Sequence, residues 1–249
     1  FGSSAVYVPT DSLDTIFSEV ETGRADYGVV PIENSMEGVV THTLDLFVDS
    51  SVNICGEIFL EIHHFLMSRG KDIKGIKKIY SHPQPIAQCR SWLERNLPNI
   101  PHYEVSSTAR AAEMSAKEKG AAAIASEAAA GLYRLNILAR KIEDNKNNYT
   151  RFLIIGKTKR AKSGSDKTSI LVSIKDKVGA LYYILEPFAT EKINLTKIES
   201  RPLRKRAWEY VFYIDFEGHT EDKNVVRTIE RLKKEVLFLK ILGSYPKWS

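Results

Sequence analysis

The residues of this 249-residue chain that could do chemistry fall where apolar runs give way to helical ones. Four junctions share the pattern: Pro31-Ile-Glu-Asn-Ser35, Ser81-His-Pro-Gln84, Ser106-Ser-Thr108 and Ala125-Ser-Glu127. Helix N-termini present free N–H groups and a positive dipole end, so they bind anions readily. Ser and Thr at such positions cap the helix, contact a ligand, or do both. At any single junction the cap is the commoner role, and Pro83 near a helix start is ordinary. Four junctions in one α/β fold point further, to a pocket for a small acid with more than one carboxylate. The other informative stretch is Asp144-Asn-Lys-Asn-Asn-Tyr-Thr-Arg-Phe152, an Asn-rich loop running into an apolar strand. Thr150 and Arg151 sit at its mouth. The Arg fork can bind both oxygens of a carboxylate, and it serves a structural ion pair just as well.

Other signals carry less. On a strand, His63 and His64 would point to opposite faces, so no shared metal is expected. His42, His102 and His219 are isolated and read as surface residues. HExxH, P-loop, GxGxxG and GxSxG motifs are absent. Cys89 lies on the apolar face of a helical segment and reads as core. Cys55 and Cys89 have no CxxC neighbour, which excludes a zinc ribbon and a disulfide scaffold and fits a reducing cytoplasm.

The elements that must position these residues are legible from periodicity. Residues 10–22 predict a helix with Leu13, Ile16, Phe17 and Val20 on one face, and 26–32 a buried strand. Residues 52–67 read as extended, with Ile58, Leu60, Ile62 and Phe65 interleaved with Glu57, Glu61 and His63. Strands follow at 77–80, 103–105, 121–125, 137–142 and 151–155, with helices at 85–97, 109–119 and 127–133. The alternation predicts an α/β domain with mainly parallel sheets and ligands beyond the carboxyl ends of the strands. Residues 158–167 read as a flexible linker. After it come a strand at 168–174, a helix at 179–192, strands at 195–199 and 208–216, a helix at 221–234 and a strand at 236–242. This is the βαββαβ order of a ferredoxin-like domain. The chain opens at Phe1, and residues 4–8 already read as an interior strand, so a segment is expected upstream. No basic stretch leading into an apolar one opens the chain, so no secretory signal is expected.

Composition sets the outer bounds. With 43% hydrophobic and 27% charged residues the chain should fold as a globule, and its length suits one large domain or two ordinary ones. No apolar run reaches the roughly 18 residues that span a bilayer, so no membrane association is expected. The 36 Lys and Arg against 31 Asp and Glu give a net charge of +5. Lys157, Lys159, Arg160, Lys162 and Lys167, less Asp166, carry four of those five charges. The basic balance therefore reads as a solvated linker, and nucleic acid is not an expected partner.

Read together, Gly28-Val-Val-Pro-Ile-Glu-Asn-Ser35, Ser81-His-Pro-Gln84, Ser106-Ser-Thr108, Ala123-Ile-Ala-Ser-Glu127 and Asn148-Tyr-Thr-Arg-Phe152 resemble the successive signature blocks of prephenate dehydratases, in the family's order. Gly179-Ala-Leu181 and Glu199-Ser-Arg-Pro202 resemble the two phenylalanine-binding blocks of the family's ACT regulatory domain. The resemblance covers nearly the whole chain. It departs at the start, where the family has a further strand and a glycine-rich turn before the residues matching Phe1-Gly2; some members carry a chorismate mutase domain upstream.

The resemblance implies a two-lobed catalytic domain similar to type 2 periplasmic binding proteins over residues 1–157. One lobe would comprise 1–77 with 151–157 and the other 78–150, with an ACT domain at 168–249. It implies conversion of prephenate to phenylpyruvate, water and carbon dioxide, without a metal or organic cofactor. Thr150 would assist departure of the ring hydroxyl, and Arg151 and the amides after Ser81 and Ser107 would hold carboxylates. Asn34, Ser35 and Gln84 would orient the substrate, with His82, Thr108, Ser126 and Phe152 beside it. L-Phenylalanine would bind at Gly179, Ala180, Leu181, Asn194, Glu199, Ser200, Arg201 and Pro202, across an interface between two ACT domains, and inhibit the enzyme. A homodimer or homotetramer in the cytoplasm follows. Arogenate dehydratase, with the same motifs, and a non-catalytic amino-acid sensor are the alternatives. The intact Thr150-Arg151 pair and the Ser81–Gln84 block speak against a pure sensor.

Overall fold

A computed structural model describes residues 2, 4–174, 177–202 and 210–248. The chain divides into two compact units, Phe1–Leu60 with Thr150–Ser249, and Glu61–Tyr149. Among the described residues no helix is long and apolar enough to cross a membrane.

The first unit begins with α1 (Leu13–Thr22). Its Ser12 cap accepts the Thr15 N–H, Gly23 closes it in the left-handed region, and it buries Phe17 and Val20. Then come β1 (Tyr27–Asn34), β2 (Gly38–Val39), α2 (Thr41–Asp49) and β3 (Asn53–Glu61). The chain returns from the second unit as β9 (Tyr149–Gly156), and the sheet order is β2-β1-β9-β3. β1 is antiparallel to both β2 and β9. Residues 4–8 are not a strand: Val6, Tyr7 and Val8 are 89%, 72% and 77% exposed. An apolar run becomes a strand only when a sheet edge takes its backbone, and residues 4–8 pair with none of the described strands.

The same unit continues with β10 (Asp166–Ile174), α7 (Ala180–Thr190), β11 (Leu195–Pro202), β12 (Tyr210–Glu217), α8 (Lys223–Glu235) and β13 (Val236–Pro246). The sheet order β11-β12-β10-β13, antiparallel throughout, is the ferredoxin-like arrangement that the βαββαβ pattern predicts. The expected start of β12 at Trp208 lies outside the described residues. Strand alternation splits the sheet's apolar residues between two cores. Ile170, Val172, Ile214 and Phe216 face α7 and α8. Leu171, Val211, Tyr213, Leu242 and Tyr245 join Val30, Leu153 and Ile155 of the first sheet and Phe17 and Phe47 of its helices in one continuous core. A Cβ on Gly243 would lie 2.2 Å from the Ile54 carbonyl oxygen, so only glycine permits this approach of β13 to β3.

The segment 158–167 is exposed as far as Ser165, and its last two residues enter a strand. Asp166 and Lys167 are buried in β10. The Asp166 carboxylate accepts the N–H groups of Ser163 and Gly164, and Lys162 pairs with Asp222. Along β3 the predicted alternation also inverts. Glu57 is buried and Leu60 is 52% exposed, because buried cations draw the Glu57 carboxylate inward.

The second unit is a five-stranded sheet of order β6-β5-β7-β4-β8. Its strands are β4 (Phe65–Ser68), β5 (Lys78–Ser81), β6 (His102–Glu104), β7 (Ala121–Ala125) and β8 (Asn136–Ala139). β5 runs parallel to β6 and β7, whereas β4 is antiparallel to β7 and β8, so the sheets are mixed and not mainly parallel. β7 is buried on both faces: Ala121, Ala123 and Ala125 meet α5 (Thr108–Lys117) and α6 (Glu127–Tyr133), while Ala122 and Ile124 meet the α3–α4 layer. The helix predicted at 85–97 is two helices, α3 (Pro83–Gln88) and α4 (Arg90–Asn96), broken at Cys89. The Asp144 carboxylate accepts the N–H groups of Ser91 and Trp92 and so starts α4 afresh.

Candidate active site

In the second unit three of the four predicted junctions lie at one sheet edge. β5, β6 and β7 are mutually aligned, so their carboxyl ends carry Ser81–Gln84, Ser106–Thr108 and Ser126–Glu127 together. The side chains differ in availability. Ser81 is fully buried, and its hydroxyl donates to the Ile124 carbonyl at 2.8 Å. His82 caps α3 by accepting the Gln84 N–H on Nδ1 at 3.4 Å. Pro83 has no N–H, so the amides expected after Ser81 to hold a carboxylate are largely spent or missing. Ser107 is exposed and caps α5 by accepting the Arg110 N–H at 3.0 Å, with Thr108 at the first helical position. Ser126 is exposed at the start of α6 and makes no side-chain capping bond.

In the first unit, Thr150 and Asn34 face each other across the β1–β9 ladder. Asn34 donates from Nδ2 to Thr150 Oγ1 at 2.8 Å. Its Oδ1 accepts the backbone N–H groups of Met36 and Glu37 at 2.9 and 3.1 Å. Those two donors fix the amide orientation, so Oγ1 must be the acceptor in the bond from Asn34. The Thr150 proton is not used in that bond. Ser35 is exposed in the following turn, and Phe152 is half-buried on the Thr150 side of β9. Asn34 thus touches the candidate catalytic hydroxyl, where the sequence placed it against substrate.

Arg151, one residue on, points to the opposite face. Its Nε donates to Glu57 Oε2 at 2.8 Å, Nη1 to Asp215 Oδ2 at 2.7 Å and Nη2 to the Tyr245 hydroxyl at 3.2 Å. Lys167 Nζ lies 2.9 Å from Glu57 Oε1, and the Ser169 hydroxyl donates to Asp215 Oδ1. Only 6% of the Arg151 side chain is exposed. Burial alone would lower its pKa, but Asp215 first, with the phenols and Glu57, more than restores it and keeps it protonated. The expectation that Arg151 holds a substrate carboxylate does not fit this arrangement. Its fork is committed to an internal ion-pair network, the other of its two sequence-level readings.

Sequence reasoning missed a second cluster, in the second unit. Residues 62–64 are not strand. His63 Nδ1 lies 2.7 Å from Glu143 Oε1, and the His64 N–H donates to Glu143 Oε2 at 2.9 Å. His64 Nε2 lies 2.7 Å from Gln88 Oε1, which also accepts from Asn148 at 3.1 Å. Burial opposes the Glu143 charge, but the N–H donors of His64 and of its own backbone, with His63, hold its pKa below the ordinary value. No spacing in the sequence joins residues so far apart.

In the ferredoxin-like domain, Gly179 starts α7 in the left-handed region with no side-chain cap, ahead of buried Ala180 and exposed Leu181. β11 alternates. Ser200 and Pro202 share the face of α7, whereas Lys197, Glu199 and Arg201 point to the other face. Arg201 Nη2 reaches Asp45 of α2 at 3.4 Å, so its side chain is not brought to Gly179–Leu181. Asn194 is exposed, and its carbonyl accepts the Glu217 N–H.

The arrangement can be set beside known proteins. The family model for prephenate dehydratase matches residues 1–160, and that for the ACT domain matches residues 168–234. The chain is 54% identical over 247 residues to the bifunctional chorismate mutase/prephenate dehydratase of Aquifex aeolicus, covering 99% of this chain and 68% of that protein. Among solved structures it is similar to the prephenate dehydratase of Arthrobacter aurescens in complex with L-Phe, with a TM-score of 0.87 at 36% identity, over 96% of this chain and 81% of that one. It is also similar to GqqA, described as a novel type of quorum quenching acylase, with a TM-score of 0.89 at 30% identity, over 99% of this chain and 90% of that one. With both family models matching in sequence order, and with the two-lobed catalytic fold joined to a ferredoxin-like sheet, the chain belongs to the prephenate dehydratase family and carries its ACT domain.

Proposed function

We propose that this chain converts prephenate to phenylpyruvate, carbon dioxide and water, with Thr150 as the group that assists departure of the ring hydroxyl. The observation that carries this reading is the Asn34–Thr150 bond. Asn34 donates and Oγ1 accepts, so the Thr150 proton is left for the leaving oxygen. As the ring C–O bond and the bond to the ring carboxylate break, the two electron pairs leave hydroxide and an aromatic ring. The hydroxide takes one proton, ultimately from solvent, and departs as water. A threonine hydroxyl is too weak an acid to give up its proton outright, so it stabilises the departing oxygen by donation or relays a proton from water. Aromatisation supplies the driving force, and the chain's task is to hold the dianion and leave its ring carboxylate poorly solvated. Because Arg151 is committed elsewhere, its fork is not assigned to a substrate carboxylate; within the second unit the N-terminus of α5 after Ser107 and the hydroxyl of Ser126 are suited to an anion. Ser35 and Phe152 are the substrate contacts assigned beside Thr150 in the first unit, and His82, Gln84 and Thr108 those assigned in the second.

The organisation we assign is a catalytic domain to about residue 157 and an ACT domain from 168. L-Phenylalanine binds at Gly179–Leu181 with Asn194, Ser200 and Pro202, and with Glu199 and Arg201 only across an interface between two ACT domains, and it inhibits turnover. Its α-carboxylate suits the uncapped N-terminus of α7. Exposed Val178, Leu181 and Tyr182 beside that terminus support assembly as a dimer or tetramer. Two free buried cysteines suit a reducing, cytoplasmic setting. The test is to follow phenylpyruvate formation from prephenate, with arogenate in parallel, with and without L-phenylalanine. Saturable turnover of prephenate that L-phenylalanine suppresses is the expected result. No turnover, or turnover of arogenate alone, refutes the assignment.

A further inference from the structure

Next to the Asn34–Thr150 rung of the β1–β9 ladder is the rung of Glu33 opposite Arg151. A bulge at Ile32 shifts the register there, bringing Glu33 rather than Ile32 across from Arg151. Both side chains of this rung end in the ACT sheet. Arg151 is bound to Asp215 of β12 and Tyr245 of β13, as well as to Glu57. Glu33 accepts from Lys197 of β11 at 2.8 Å, and only 9% of the Lys197 side chain is exposed. Strand alternation places Asn34 and Thr150 on the other face. One backbone step therefore separates the candidate catalytic pair from charges that three strands of the regulatory sheet hold in place.

We infer that Glu33 and Arg151 form a positioning rung, through which the ACT sheet sets the orientation of Asn34 and Thr150. The inference rests on Thr150 being the reacting hydroxyl. Arg151 acts through Thr150 and is not a substrate ligand. A substrate carboxylate could take its fork only by displacing Asp215, which would leave a buried anion without its cation, or Glu57, which would leave that carboxylate to Lys167 alone. Arg151 and Lys167 balance Glu57 and Asp215 charge for charge, so the cluster has no need of an added anion. Lysine cannot replace the arginine here, because a single ammonium cannot span two carboxylates and a phenol.

The experiment measures kcat and KM for prephenate on the full chain and on Arg151→Lys, Asp215→Asn and Lys197→Met, each in the unaltered and in the Thr150→Val background. In the unaltered background the expected kcat falls by about 30-fold for Arg151→Lys, about fivefold for Asp215→Asn and about threefold for Lys197→Met, with KM within about threefold throughout. In the Thr150→Val background none of the three changes the residual rate by more than about twofold, because the group they aim is gone. A KM raised about tenfold with kcat retained would make Arg151 a substrate ligand and overturn the inference. So would full kcat in Asp215→Asn and Lys197→Met alongside a lowered melting temperature, the signature of a purely structural role. Those two variants decide the matter if Arg151→Lys does not fold. Turnover by the unaltered chain is the control: without it both the proposed function and the rung fall, and with it only the rung is at stake.

Discussion

The orientation of Asn34 is open to a sharp test by Asn34→Asp. The two variant oxygens occupy the places of Oδ1 and Nδ2. One still accepts the N–H groups of Met36 and Glu37, so the turn is kept. The other now faces Thr150 Oγ1 across the 2.8 Å once spanned by an N–H donor. A carboxylate only accepts, so the bond reverses and the Thr150 proton is captured. Turning that proton toward a leaving oxygen means breaking a hydrogen bond to a charged group, worth about 1.5–3 kcal/mol. At 1.36 kcal/mol per decade that is a kcat about 10- to 160-fold below the unaltered chain. Asn34→Ala removes the donor without capturing the proton, so its kcat should fall only about 2- to 12-fold, from a neutral bond of about 0.5–1.5 kcal/mol. It strips the turn of its acceptor, so it should be the less stable of the two. The assay is kcat at saturating prephenate, because the added negative charge also raises KM for a dianion, together with melting temperatures. The reasoning fails if Asn34→Ala is as slow as Asn34→Asp, or if Asn34→Asp turns over normally.

Two further outcomes follow from packing and charge. In Gly243→Ala the new Cβ meets the Ile54 carbonyl oxygen at 2.2 Å, and backbone cannot move aside as a side chain does. The expected cost is at least the upper end of overpacking, about 3 kcal/mol, or a melting temperature about 6–12 °C lower by calorimetry; an unchanged melting temperature refutes the close approach. Glu143 has a folded pKa below its ordinary 4.5, because N–H donors and His63 outweigh its burial. A depressed carboxylate stabilises the fold above the unfolded pKa and loses that contribution as pH falls through the folded pKa. Denaturant titrations of the unaltered chain and Glu143→Gln should therefore differ most near neutral pH and converge as pH falls through the lowered folded pKa; a gap that widens on acidification has the wrong sign.

The ferredoxin-like sheet was legible because its signals are local. Each helix carries a strong 3.6-residue stripe and each strand a short apolar run, and the βαββαβ order itself implies the pairing, although β10 pairs with the distant β12 and β13. The catalytic sheet was less so. Its central pair, β1 with β9, joins positions 116 residues apart at Asn34 and Thr150, and periodicity does not name a partner or a direction. Strand–helix alternation predicts parallel neighbours only while the chain stays in one sheet. Here it leaves one unit and returns, and β4 and β8 enter antiparallel. α2 was missed because its buried side is Thr43, Leu44 and Phe47, too short a stripe among polar neighbours. The fate of Arg151 did have a signal. At period two it shares a face with Leu153 and Ile155, both fully buried, so its guanidinium had to meet buried anions. Which anions, Glu57 and Asp215, depended on the ACT sheet lying against that face, and nothing in the spacing says so.

That contact changes how regulation can work. A regulatory domain on a flexible tether would act on the catalytic domain only by moving as a body. Here the ACT sheet presents Leu171, Tyr213, Leu242 and Tyr245 to the same core as Val30, Leu153 and Ile155 of the catalytic strands. Its Gly243 touches the backbone of Ile54, and its Lys240 donates to the Phe47 and Val48 carbonyls at the end of α2. Packed interiors do not deform continuously; they shift between discrete arrangements. A ligand that favours one arrangement of β11 or β12 therefore acts on β1 and β9 without an intermediary, and Asn34 and Thr150 lie on those two strands. The charged segment between the two sheets, which the sequence marks as a spacer, need transmit nothing.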